Sequence, residues 1–591
     1  MNSLREVSML RWSTATVSVL SALLLGGCNL NVENPNAPDA PRAFLDPAGL
    51  EQLLSGAVRT WVETRENYYV LPLNAQADNY TASWNNAAMR FYSSVGSDCP
   101  IRCGWNNSVT APEAAGGPTI EALWYGYYSV LASANNVLIA ANRGICFDTD
   151  CSVDSTNTTR DRAIATMLQG MAFAGIALVY DQGFFIDEKS PVVAPPALPF
   201  ISRAELRDSA LKKFDEAYAL AGVTTWDTPP EWMGVGSGTS YSNTQIQQLI
   251  RTMQAELVAL WPRNGAENAS ADWASVTTYA SQGISSSGTP FSWQFYIDAS
   301  ARECGVACIK TWGNSIGTER VDTRVAALIT TNHQDPWPNP SGNPCPTISP
   351  DARVGDGTYG PSDDFNGYAT TTEDSTHGTD YACSGVAIFP PARGSYHQSN
   401  LQHKRYHELA YRGEDLPTDD GTGQDPLYTP QMSDLLWAEG LLRSGGSAVT
   451  AAGLINNSRV GRGNLTVLTG AEGLPALITA LQYEQEIEFM GQGVDPFFNR
   501  RRSGYTAAAS GGRPQYQDGL VVNTPRQMPV PAKELTLDQR ALYSFGGPSN
   551  PDMSAPVEGS LRGETVQDRF RALQNARPGY LTRFLASQRT F

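Results

Sequence analysis

The sequence has little charge for its length and very little histidine. Lys, Arg, Asp and Glu make up 17% of 591 residues, and only five His occur. Few imidazoles leave little material for a histidine-rich metal centre. Positive charge is in deficit too: 42 Lys and Arg against 59 Asp and Glu give a formal net charge of −17. So acidic a chain repels phosphate backbones, which makes nucleic acid a poor partner. There is no Gly-x-Ser-x-Gly elbow and no phosphate-cradling P-loop. No Cys pair has CxxC spacing with His beside it. No cofactor motif stands out, and neither a cofactor nor a resident metal is expected.

What is present begins at the N-terminus. Arg5 and Arg11 precede an apolar run from Thr14 to Leu25, followed by Gly26, Gly27 and Cys28. The run is about a dozen residues, whereas a spanning helix needs roughly 20. This is the layout of a bacterial lipoprotein signal, with residues 1–27 removed and Cys28 acylated; a plain secretory peptide with an incidental Cys is the alternative. Cleavage takes away Arg5, Glu6 and Arg11, leaving the remainder one unit more negative. It also puts everything after Cys28 outside the cytoplasm, tethered to a membrane by lipid.

The cysteine count agrees with that compartment. Of nine Cys, one goes to lipid and the rest are even in number. Cys99 and Cys103, Cys146 and Cys151, and Cys304 and Cys308 are close pairs, with Cys345 and Cys383 farther apart. Local disulfides in an oxidising space are expected, pinning loops more than the core.

Residues 28–46 form a spacer in which Pro35, Pro38 and Pro41 exclude regular structure. Apolar stripes at helical spacing then follow at Pro47–Trp61, Glu121–Asn142, Arg160–Tyr180, from Ser202 onward, and at Thr244–Trp261. Ser202 and Glu205 form a capping box, and Pro262 stops the last of these helices. Ala and Gly within Arg160–Tyr180 permit close helix contact. The spacing of about 40 residues between helix starts favours helix pairs, although the strict tetratricopeptide consensus is absent. Residues 269–429 read as a loop-rich insertion with a few short strands. Helical periodicity resumes at Gln431–Arg443 and Leu474–Met490. The expected division is residues 47–268 as a helical N-terminal part, 269–429 as the insertion, and 430–591 as a C-terminal part closing the same domain.

Several segments stand out in order: Cys28 with its Asn-Pro-Asn spacer, Leu123-Trp124-Tyr125-Gly126-Tyr127-Tyr128 leading to Ala134-Asn135-Asn136, and Tyr180-Asp181-Gln182-Gly183. Farther on come Met432–Gly440, then Glu484, Glu488 and Gln492 at four-residue spacing, and Met528–Leu535. Taken together they resemble the SusD/RagB-like outer-membrane nutrient-binding lipoproteins. Gln485, Gln492 and Asp495 depart from the family pattern, and Arg459 and Arg462 stand one residue farther apart than its motif. The resemblance implies a mostly α fold of tetratricopeptide-like helix pairs with a loop-rich region bearing the ligand site. It also implies a non-enzymatic receptor, lipid-anchored at the outer-membrane surface. Such a receptor captures oligosaccharide or peptide and delivers it to a SusC-like TonB-dependent transporter. A surface glycoside hydrolase and a structural or adhesion lipoprotein are the alternatives.

Sugar rings are held by flat apolar faces with amides and Arg beside them. Two stretches offer this. The first has Asn79, Tyr80, Trp84, Asn85, Arg90 and Trp105; the second has Trp293, Tyr296, Trp312 and Asn314. Both lie where helical periodicity is weak, so their aromatics are read as loop groups, led by Trp84 and Trp312. Trp61, Trp124, Trp261 and Trp437 fall on amphipathic stripes and read as core. Glu484 and Glu488 lie one turn apart on one face, which does not set two carboxylates across a cleft as glycoside hydrolysis requires. Glu486 points elsewhere, and a structural role is expected for the three, as partners for Arg500, Arg501 or Arg502 or in backbone capping. His403 with His407, and the run from Asp419 to Asp425, read as polar structure in preference to metal sites.

Overall fold

The computed structural model describes residues 46–82, 88–93, 102–107, 117–191, 198–230, 232–234, 238–297, 308–311, 320–329, 349–354, 378–383, 399, 401–403, 405–406, 423–505, 519–521 and 523–546. Cys28, the signal and the spacer lie outside them. So do Trp84, Asn85, Trp312, Asn314, His407, Cys99, Cys304 and Cys345, and the side chains of Cys308 and Cys383.

The chain is mostly α, built from tetratricopeptide-like helix pairs. The longer helices are α1 (Pro47–Glu66), α2 (Gly117–Asn142), α3 (Thr156–Val179), α4 (Arg203–Ala221), α5 (Asn243–Leu260) and α6 (Trp273–Ala280), then α7 (Pro430–Ser444), α8 (Ala448–Arg459) and α9 (Leu474–Glu488). Each of these packs on the next, from α1 to α9, including across the longer sequence gaps before α4 and before α7. The helix starts follow from local chemistry. Asp46 caps α1, with Pro47 at its first position. Ser202 and Glu205 close a reciprocal capping box on α4, and Ser242 and Gln245 do so on α5.

Close approach between α2 and α3 depends on glycine. A Cβ on Gly175 would stand 2.3 Å from the Tyr127 ring, and one on Gly170 2.8 Å from Phe214 of α4. α3 is long and apolar enough to cross a membrane, yet 94% of its most apolar window is buried inside the protein. It is the central helix of the core.

Short antiparallel ladders supply the rest: β1 (Tyr80–Thr81) with β5 (Arg320–Val321), β2 (Gln182–Phe184) with β3 (Phe200–Ser202), β4 (Trp293–Ile297) with β8 (Gly423–Tyr428), and β6 (Tyr381–Cys383) with β7 (Leu401–His403). Besides short strands, residues 269–429 carry helices that the sequence did not suggest, among them α6 and Thr323–Ile329. α6 is a capped helix, with Asp272 accepting from Ser275 N at 3.0 Å, and it packs on α5 and α7. Two turns give too few apolar repeats to read a period.

Two helix ends are tied to later segments of the chain. α3 and α5 end near each other, and their unpaired terminal carbonyls are met by arginines from elsewhere. Arg501 donates to Leu178 O at 2.6 Å and Leu260 O at 3.3 Å, and Arg263 donates to Tyr180 O at 2.7 Å. Met528 N donates to Val179 O at 2.9 Å, which draws the C-terminal segment into the same body.

Candidate ligand-binding site

One part of each sequence stretch singled out for ligand contact borders the same ladder, whereas Trp293 and Tyr296 lie in the separate β4–β8 ladder. In the β1–β5 ladder Thr81 faces Arg320 and Tyr80 faces Val321. Because the strands are antiparallel, the chain leaves the described residues after Ala82 at the same ladder end where it re-enters at Arg320. The segment that begins after Ala82 therefore starts beside the point where the segment following Thr311 ends.

That ladder end is held by buried charge. Asp78, just before β1, is a non-glycine residue at φ 55°. Such a conformation persists where surroundings over-determine it. Arg102 donates to Asp78 Oδ1 at 3.1 Å, and Arg324 to its carbonyl at 3.1 Å and to Glu486 at 2.6 Å. Ala88, where the chain re-enters beyond the Trp84 segment, also has positive φ, 63°. Lys310, two residues before Trp312, lies fully buried between Glu66 at 2.8 Å and Asp425 at 2.6 Å. Burial pushes the Glu66 carboxyl up to about 7 in spite of Lys310, and raises Asp425 as well.

Tyr80 Oη stands 2.8 Å from His403 Nδ1, and burial lowers that imidazole to about 3. A neutral ring therefore fills a core position. Among the described residues no cluster of His, Cys, Asp or Glu could hold a metal ion. Asp425, the last residue of the acidic run, serves Lys310 instead.

Four of the expected contact residues are packed inside. Trp293 is fully buried, stacked on Trp61 at 5.4 Å and Tyr428 at 6.0 Å, with its indole N–H donating to Met233 O at 2.6 Å. Trp105 is fully buried against Tyr92 at 4.3 Å and pairs through its backbone with Phe545. Tyr80 and Asn79 are buried as well. The reading of these four as ligand groups is corrected: short strands, an isolated bridge and the turn before β1 bury their side chains as firmly as a helical stripe does, and helical periodicity does not register them. Arg90 and Tyr296 are half-buried. Among the aromatics read as core, Trp61 and Trp124 are buried, but Trp261 and Trp437 are half-buried.

The acidic helix α9 has a structural role, with one of the expected partners, Arg500 beside Glu486, and several others. Glu484 pairs with Arg353 at 2.8 Å, Glu488 with Arg405 at 2.8 Å and also with Arg462. Burial opposes ionisation of Glu488, but Arg405, Arg462 and Arg353 together hold it well below the usual carboxylate range. Of the three expected arginines, Arg500 lies 3.6 Å from Glu486, Arg501 serves backbone carbonyls, and Arg502 pairs with Glu439 at 2.7 Å. Gln485 donates to that same Glu439 at 2.8 Å. Cys146 and Cys151 form a disulfide, and Cys103 is disulfide-bonded to a partner outside the described residues.

Neither a protein-family model nor a curated protein matches the sequence. Solved structures match in fold. A SusD-like protein from Bacteroides fragilis superposes with a TM-score of 0.52 at 12% identity, covering 85% of this chain and 97% of that one. A SusD superfamily protein from Parabacteroides distasonis gives 0.52 at 10% identity over 83% and 97%. A SusD homolog from Bacteroides thetaiotaomicron gives 0.52 at 12% identity over 84% and 97%. This chain has the SusD-like fold.

Proposed function

We propose that the chain is a divergent SusD/RagB-like receptor that binds an oligosaccharide without transforming it. Lipid on Cys28 holds it at the outer-membrane surface, and it delivers its cargo to a SusC-like TonB-dependent transporter. The observation that carries this reading is that one of the two aromatic, amide-bearing segments starts beside the end of the other, on a fold that matches SusD-like proteins over nearly their whole length. The buried carboxylates of α9 are engaged by arginines, which favours binding over glycoside hydrolysis. A few stacked rings at about 1 kcal/mol each give modest affinity, suited to release into a transporter. Peptide is the other cargo class and belongs in the same test. Calorimetric titration of the full chain in a detergent without a sugar headgroup, against neutral oligosaccharides and short peptides, tests it. Saturable heat with an oligosaccharide supports the reading; saturable heat with peptides alone moves the cargo to the other class. Hydrolysis products after incubation would replace it with an enzyme.

A further inference from the structure

We propose that the groove between α4, α5 and α6 is a second saccharide site, apart from the ladder end that the Trp84 and Trp312 segments border. Pro262 stops α5 just after Trp261. Asn264 then caps the short helix Gly265–Ala269, and Asp272 caps α6, so the chain turns back along α5. A cavity of about 480 Å³ opens in that wedge. This is within the range of small-molecule pockets, roughly 300–1,000 Å³.

Its lining divides by chemistry. Trp261, Tyr279, Leu211 and Val258 are half-buried and offer apolar and aromatic surface, while Asp208, Ser270 and Asp272 are exposed and contribute oxygens. Arg203 and Arg207 lie 3.8 and 4.1 Å from the centre of the Trp261 ring and stack on it, so the aromatic surface for a ligand is that of Tyr279, with Trp261 at the cavity wall.

The charge balance selects the ligand class. Arg207 donates twice to Asp208, at 2.9 and 2.7 Å, and Glu267 accepts from Arg203 at 2.8 Å and from Arg263 N at 2.9 Å. Asp272 accepts from Ser275 N and Oγ, at 3.0 and 2.7 Å. A charged ligand would have to break one of these pairings. A neutral ring rich in hydroxyls needs only the spare lone pairs of the carboxylates and an aromatic surface to lie against. One or two sugar rings meet both conditions.

The test labels the full chain with 5-fluorotryptophan, in lauryldimethylamine oxide micelles, and assigns the Trp261 fluorine signal by its loss in Trp261→Phe. Maltotriose, cellotriose and xylotriose are each titrated to about 20 mM, a range that captures millimolar binding. At least one should move the Trp261 signal saturably. Ala271→Trp, which fills the cavity, and Tyr279→Ala, which removes a ring, should each weaken that response about tenfold. Trp84→Ala and Trp312→Ala should leave it within twofold, so that failure of the primary receptor reading and failure of this one are told apart. A melting curve on each variant identifies any that does not fold, and the remaining cavity variant then decides. No movement with any of the three sugars, or an unchanged response in a folded cavity variant, overturns the proposal.

Discussion

Lys310 Nζ lies 2.6 Å from Asp425 Oδ1, and both side chains are fully buried. The pair, with Glu66, ties the segment before Trp312 to β8 and to the end of α1. A neutral side chain at 310 would leave two carboxyl groups buried without their cation, at a cost of about 3–5 kcal/mol. Lys310→Met should lower stability by that order at pH 8 and by less at pH 5. Burial raises both acids, Glu66 to about 7, so at the lower pH Glu66 is neutral and less uncompensated charge is buried. Guanidinium unfolding at the two pH values checks this, and equal losses would contradict it.

Asp181 gives a separate pH signature. Burial pushes its carboxyl up to about 7, although Tyr543 donates to it at 2.8 Å. Its folded-state pKa exceeds the unfolded value, so its contribution is complete below about 4 and is lost as pH rises through 7, on the order of a few kcal/mol. Asp181→Asn should flatten the fall in melting temperature between pH 4 and 7.

Glu439 has the opposite sign. Burial opposes its ionisation, but Arg502 and Arg443 hold it at about 2. Its contribution is present above the usual glutamate value and disappears as pH falls toward 2. Glu439→Gln should reduce the loss of stability on acidification while leaving the slope above pH 5 unchanged, which thermal melts from pH 2 to 7 would read.

Packing of α3 on α2 offers a test free of charge. With a Cβ at Gly175 standing 2.3 Å from Tyr127, Gly175→Ala should cost about 1–3 kcal/mol by overpacking, measured by urea unfolding. Gly144, at φ 92° with open space around it, should show only the backbone cost of a left-handed residue on Gly144→Ala.

The helical scaffold was legible because its signals are local. Ser202 and Glu205 stand three apart in sequence and bond as a box in space. The stripe Leu50, Leu54, Val58 and Trp61 is buried on one face of α1. What the sequence hid is non-local. Arg353 reaches Glu484 across 131 residues and Lys310 reaches Glu66 across 244, and no spacing rule announces such pairs. The aromatics of β4 were misread for a different reason. Trp293 and Phe295 point inward while Gln294 and Tyr296 are half-buried. Period-two burial over five residues is easily lost when three of them are aromatic. Trp261, read as core from its stripe, packs against the core and also lines a cavity.

The central claim is that aromatic segments rooted at the Thr81–Arg320 ladder hold an oligosaccharide that leaves unaltered. Calorimetry on the full chain and on its Trp84→Ala and Trp312→Ala variants, with product analysis of the recovered sugar, tests it most directly. The account predicts an oligosaccharide whose affinity falls about fivefold or more in each variant and which is recovered intact, a loss of about 1 kcal/mol per ring. Equal affinity in all three proteins, or a cleaved sugar, would contradict it.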